Sequence, residues 1–138
     1  MLLVRTYLSH SQIDGVGVFA AEPIQRGHLI WQLNPDFDVL LTEGDMAGWP
    51  AHMDEFLTHY TYRHRDIAGT WVLEIDNGRF MNHSSEPNTN FEEFYAGYAL
   101  RDIDAGEELT CSYFDFDIEF TGEFMPRNSG SARQELRK

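Results

Sequence analysis

The chain has 138 residues, enough for one domain, and 42% of them are hydrophobic, enough for one core. With 23 acidic against 10 basic residues the formal charge is -13, which repels nucleic acid phosphates and leaves no basic stripe for direct nucleic acid binding; ten Phe, six Tyr and three Trp exclude a disordered body. The single cysteine, Cys111, excludes an intrachain disulfide and any multi-cysteine zinc cluster within the chain.

Leu2 to Leu8 reads as a strand, and its first residues carry neither the apolar region nor the basic flank of a secretory leader. No apolar run is long enough for a membrane helix, so the expectation is an intracellular chain, cytoplasmic if bacterial, with no membrane partner. Val16 to Ala20 is a second strand after Asp14-Gly15, and Pro23 to Gly27 a turn into a third, His28 to Leu33. Thr42 and Asp45 have capping-box spacing, Pro50 suits a helical first turn, and Met53, Phe56, Leu57 and Tyr60 form one apolar helix face. Thr70 to Ile75 returns to strand character, Asp76-Asn77-Gly78 is a tight turn, and Phe91 to Arg101 supplies further strand. Phe19-Ala20, Ile24, Gly27 and Ile30 align at a constant offset with Tyr98-Ala99, Ile103, Gly106 and Leu109, which predicts two similar β units. From Asp117 the apolar periodicity fades, and Asn128 to Lys138 reads as a flexible polar tail.

Three motifs carry chemistry. Gly15-Val16-Gly17 can adopt positive φ and let a ligand approach the backbone. Asn82, within Arg79-Phe80-Met81-Asn82-His83-Ser84-Ser85-Glu86-Pro87-Asn88, offers a donor and an acceptor on one amide, while Ser84 and Asn88 read as local caps. Gly106-Glu107-Glu108-Leu109-Thr110-Cys111-Ser112-Tyr113 reads as a strand ending in a phenolic hydroxyl, with Glu107 exposed and Glu108 structural. No His, Cys or carboxylate spacing points to a metal; His59, His64 and Asp66 read as polar residues of a helix end.

In this order the motifs resemble those of the SET-domain protein lysine methyltransferases, and the minimal, zinc-free bacterial and viral members most. The resemblance implies a β-clip-like fold of small curved sheets with a knot-like threading of the C-terminal strand, over a SET domain at 1–116. The stretch 117–138 is then an extension whose Phe120 and Phe124 lie where a substrate lid would be. The resemblance also implies S-adenosyl-L-methionine as cofactor, held by Gly15, Val16, Gly17, Asn82 and His83, with Tyr113 as the catalytic residue. Tyr60, Tyr62, Phe91, Cys111, Phe114 and Phe116 are candidate walls of a lysine channel. The absence of a hydroxyl at Cys111 and Phe91 implies di- or trimethylated product, and Phe91→Tyr a shift toward monomethyl. The implied partner is a lysine-bearing protein presenting a basic, extended segment such as a histone-like tail. It would dock against carboxylates of Asp36, Asp38, Glu43, Asp45, Glu92, Glu93, Asp115, Asp117 and Glu119. The alternative is a noncatalytic peptide-binding module on the same scaffold; the oligomeric state stays open, a homodimer included.

Overall fold

Short runs of β-branched and aromatic residues, punctuated by Gly and Asp, favour short strands over long ones. A computed structural model describes residues 1–120. In chain order these form β1 (Thr6–His10), β2 (Val16–Ala20), β3 (Leu29–Gln32), β4 (Val39–Thr42), α1 (Glu43–Met46), α2 (Met53–Tyr60), β5 (Thr61–Arg63), β6 (Thr70–Leu73), β7 (Asn82–His83), β8 (Thr89–Asn90), β9 (Ala96–Ala99) and β10 (Glu108–Cys111). Two 3-10 turns, Asn77–Phe80 and Tyr113–Asp115, complete the described chain. The strands make three small sheets, ordered β1-β2-β10-β7, β3-β9-β8 and β4-β6-β5, so the fold is mostly β with short helices.

The repeat read from the sequence becomes a local two-fold. Ile24 and Ile103 exchange backbone hydrogen bonds, N–H to O, at 2.8 Å in both directions. Around them the bonds recur in pairs: Gly27 N–H to Ala99 O at 2.8 Å mirrors Gly106 N–H to Ala20 O at 2.7 Å, and Ala20 N–H to Glu107 O at 2.9 Å mirrors Ala99 N–H to His28 O at 3.0 Å. Each unit therefore satisfies the backbone groups that the other's turn exposes. Gly27 (φ 81°) and Gly106 (φ 89°) occupy the left-handed region that closes each turn, which a Cβ would strain. Ile24 and Ile103 lie in the core together with Val18, Ala20, Ile30, Ala99 and Leu109.

A second cluster, Leu41, Met46, Leu57 and Trp71, sits between the helices and the β4-β6-β5 sheet. Burial of Leu57 contributes about 1.5–3 kcal/mol there. The capping box forms as read: Asp45 N–H donates to Thr42 Oγ1 and Thr42 N–H to Asp45 Oδ2. Other boundaries differ from the sequence reading. Residues 2–4 are not part of β1, because Leu2 bridges Trp31 and Leu3 N–H bonds Ile30 O, so the chain lies along β3 before it turns to pair with β2. Helix α2 starts at Met53, with Pro50 in the turn before it rather than in its first turn. In the stretch read as Phe91 to Arg101, only Ala96–Ala99 is strand, and β4, β5, β7 and β8, too short to show a period, went unread.

Candidate functional site

Three stretches far apart in the chain meet at one amide. Asn82, the first residue of β7, is buried, and its Nδ2 donates to Asp14 O (3.1 Å), Val16 O (3.3 Å) and Glu108 Oε1 (3.0 Å). Three acceptors around one nitrogen fix the orientation of the amide. Glu108 also accepts from Ser11 Oγ, at 2.7 Å to Oε1 and 3.0 Å to Oε2. The carboxylate lies so close over Gly17 that a Cβ there would collide with Oε1. Gly17 is thus glycine because Glu108 packs on it, and not because its φ is positive; Gly15 (φ 50°) is the one that needs the left-handed region. The space where a Gly15 Cβ would stand is open, and Val16 is exposed, so the loop leaves room for a ligand.

The chain runs on from this junction to the aromatic hydroxyl. β10 pairs in parallel with β7, Thr110 opposite Asn82 and Cys111 opposite His83. Asn88, expected to be a local cap, instead spans to β10: its Nδ2 donates to Glu108 O (2.8 Å) and its Oδ1 accepts from Thr110 N–H (2.9 Å). Tyr113 lies in the 3-10 turn after the strand, and there its hydroxyl donates to Met81 O at 2.7 Å. Tyr113 N–H donates to His83 Nδ1 at 3.0 Å, so this nitrogen must be unprotonated. The Tyr113 ring is flanked by His83 (5.3 Å), Phe120 (5.4 Å) and Phe116 (5.7 Å).

The candidate channel residues separate into two groups. Phe116 bridges Tyr113, Tyr62 (4.8 Å) and Phe91 (6.0 Å), while Phe114 is 61% exposed and packs on His83 and Phe120. Cys111 is buried, its thiol toward Asn82 O. Phe91 is a core residue rather than an open wall: its ring packs edge-on against Trp31 (5.4 Å) and stands over Gly97, where a Cβ would collide with it. Tyr60 packs at a tilt on Phe56 and edge-on to His59 and Phe80, with the Arg79 guanidinium over its ring, and no described ring contact joins it to Tyr113. Phe124 lies outside the described residues.

Sequence reasoning passed over a half-buried acid, Glu74. The Tyr62 hydroxyl lies 3.4 Å from Glu74 Oε1, and burial raises the pKa of both groups. The signal was Glu74 itself, a carboxylate placed directly after the apolar run Trp71-Val72-Leu73 of β6. Several carboxylates expected to face a partner are engaged within the fold. Asp38 is buried and accepts from Asn34 N–H, Asp45 caps α1, Asp115 Oδ2 accepts from Phe91 N–H and Glu119 pairs with Arg63 at 2.6 Å.

Two histidines make the fold sensitive to acid. His64 follows β5 rather than ending a helix; it is buried, and its Nδ1 accepts from Asp66 N–H and Ile67 N–H, both at 3.1 Å. Burial lowers the pKa of His64 and of His83, with Asp66 and Asp115 respectively opposing it. A lowered native pKa means that the unfolded chain takes up protons first. The stability from these groups is therefore complete above the unfolded value of about 6.5 and is lost as pH falls through the native values. Glu74 acts in the opposite sense: burial lifts it to about 8, so stability declines as pH rises from the ordinary carboxylate range through that value. Denaturant titrations across this range are expected to fall off on the acid side, and His64→Asn, which keeps an acceptor that does not titrate, to flatten that limb.

A family model described as "SET domain" matches residues 15–114. Among curated proteins, the chain is similar to the histone-lysine N-methyltransferase ATX2 of Arabidopsis thaliana, 28% identical over 134 residues, covering 83% of this chain and 11% of that protein. The histone-lysine N-methyltransferase EZH2 of Chaetomium thermophilum is 27% identical over 142 residues, covering 92% of this chain and 9% of that one. The chain thus spans only about a tenth of the length of these relatives. Among solved structures, Chaetomium thermophilum Polycomb Repressive Complex 2 bound to GSK126 superposes with a TM-score of 0.63 at 23% identity, over 84% of this chain and 16% of that one. The same complex, in an autoinhibited conformation bound to S-adenosylmethionine, gives 0.62 at 23%, over 83% and 16%. At such identities the likeness is one of fold, and the match over most of its length assigns the family: the chain belongs to the SET domain family.

Proposed function

We propose that this chain transfers methyl groups from S-adenosyl-L-methionine to the side-chain amine of lysine in a protein substrate. The observation that carries the reading is the Tyr113 hydroxyl bonded to Met81 O, one residue from the amide that joins the glycine loop to β7 and β10. Because the hydroxyl proton is committed to that carbonyl, the phenolic oxygen presents its lone pairs and can accept an N–H from an incoming amine. An amine held in this way has its own lone pair directed, which is the alignment an in-line displacement needs. The rings of His83, Phe116 and Phe120 around Tyr113 limit water and disfavour an ammonium, so the lysine enters neutral without a dedicated base.

The cofactor supplies a methyl on a cationic sulfur. The residues present fit it: the open face at Gly15 admits the ligand, and Asn82 Nδ2 is wholly engaged with the scaffold, so its Oδ1 is the atom left to accept from the cofactor's ammonium. The names of the curated relatives support a lysine in a histone-like protein as the target. The acidic composition supports a basic segment, although Asp115 and Glu119 are engaged internally and Asp117 Oδ1 accepts from Glu119 N–H. Incubation with methyl-labelled S-adenosylmethionine and a panel of core histones, lysine-rich peptides and acidic peptides tests the reading. Label on lysine supports it; peptide binding without transfer would make the chain a noncatalytic module.

By the family resemblance, product number depends on whether Cys111 or Phe91 is replaced by a residue with a phenol. With no second phenol at Cys111 or Phe91, di- or trimethyl-lysine is expected by mass spectrometry at long times, and strictly monomethyl product would contradict this. Phe91→Tyr, which the resemblance alone suggests as a route to monomethyl product, is expected instead to destabilise the fold by about 1–3 kcal/mol, because the added hydroxyl must fit into a packed core.

A further inference from the structure

After Cys111 the chain leaves β10, yet the turn bearing Tyr113 must be held in place if its hydroxyl is to orient an amine. Part of what holds it comes from a distant hairpin. Arg65, in the β5–β6 connection, donates from Nη2 to Asp115 O (2.9 Å) and to Glu92 O (3.0 Å), with its guanidinium carbon 5.3 Å from the centre of the Phe94 ring. The same two loops are joined a second time by Asp115 Oδ2 and Phe91 N–H at 3.1 Å. Arg65 is itself set by its neighbours: His64 Nδ1 fixes the backbone of Asp66 and Ile67, and the Tyr95 hydroxyl donates to Asp66 Oδ2 at 2.6 Å. Two residues earlier, Arg63 pairs with Glu119, so one hairpin grips the segment after Tyr113 at two points. The cofactor junction at Asn82 shares none of these bonds.

We propose that Arg65 is a positioning residue for methyl transfer: by tying Asp115 O to Glu92 O it sets the angle of the Tyr113 turn, and with it the hydroxyl that receives the amine. This rests on the methyltransferase reading. A misplacement of about 1 Å at a reacting group costs about a hundredfold in rate, so a partial loosening is expected to cost about tenfold. Arg65→Met keeps length and apolar contact but removes every donor, whereas Arg65→Lys restores a donor without the planar fork.

The test compares wild type, Arg65→Met and Arg65→Lys on core histones, with kcat, KM for S-adenosylmethionine, thermal midpoint and amide hydrogen exchange measured for each. The expected result is a roughly tenfold lower kcat for Arg65→Met at unchanged KM for the cofactor and unchanged midpoint, with partial recovery in Arg65→Lys. Exchange should quicken at Phe91, Phe116 and Asp117 and stay unchanged at Val18 and Leu109. Wild-type kcat in Arg65→Met, or a loss that tracks a lowered midpoint with faster exchange throughout, overturns the proposal. Should Arg65→Met fail to fold, Arg65→Lys decides: reduced kcat at a normal midpoint supports the role, and wild-type kcat removes it. An inactive wild type would instead defeat the methyltransferase reading, and this role with it.

Discussion

Tyr113→Phe is expected to retain the fold and cofactor affinity while lowering single-turnover methyl transfer by about a hundredfold or more. The ring stays, with its contacts to His83, Phe116 and Phe120, so the aromatic enclosure persists. What is lost is one oxygen that donates to Met81 O and offers its lone pairs to the amine. The stability cost should be about 1 kcal/mol, the usual net worth of one hydrogen bond, since the ring can relax over the unpaired carbonyl. Rapid-quench assays at saturating cofactor, beside a denaturant titration, separate the two effects. A wild-type rate would reduce Tyr113 to a packing residue. A mutant that no longer binds S-adenosylmethionine would mean that the hydroxyl belongs to the cofactor site.

Asn82→Ala should do the reverse, damaging cofactor binding and stability together. Its Nδ2 serves Asp14 O, Val16 O and Glu108 Oε1 at once, and removal leaves the Glu108 carboxylate with Ser11 as its remaining side-chain partner. An unsatisfied partly buried acceptor costs about 1–3 kcal/mol, more when it is charged. Calorimetric titration with S-adenosylmethionine is expected to give no measurable heat, and thermal unfolding a clearly lower midpoint. Asn82→Asp is the sharper variant. It keeps the shape but sets a second carboxylate against Glu108 and two carbonyls, so at neutral pH it should be less stable than the alanine variant, and acid should narrow the gap as the pair takes up a proton. A folded Asn82→Ala protein with unchanged cofactor affinity would detach the amide from the site.

The parts of this molecule that were legible in sequence are those written in local chemistry. Thr42 and Asp45 announce a capping box because both bonds close within four residues. The repeat was legible because the two turns need glycine at the same place. Asn82 stood out in sequence as an amide carrying both a donor and an acceptor; in the fold its Nδ2 reaches back to Asp14 O and Val16 O of the glycine loop, a partner that the sequence did not name. What escaped depends on pairings distant in the chain. Asn88 looks like a turn residue until β10 lies beside it, and Glu108 looks merely structural until Gly17 is found beneath its carboxylate. Phe91 follows the Asn-His-Ser turn and so reads as site-lining, yet its ring faces inward over Gly97. Arg65 carries no motif at all; its bonds go to carbonyl oxygens, which no residue identity records.

The reciprocal pairing of the two β units governs how the chain can be made. Since Ala20, Ile24 and Gly27 find their backbone partners only in residues 99–107, nothing emerging earlier from the ribosome can complete the first unit. Contacts of such long sequence separation make for slow folding, and until they form β2 and β3 each present unpaired edges. Until Gly106 and β10 have emerged, those edges stay open to wrong pairing, and their arrival is what lets the first unit close.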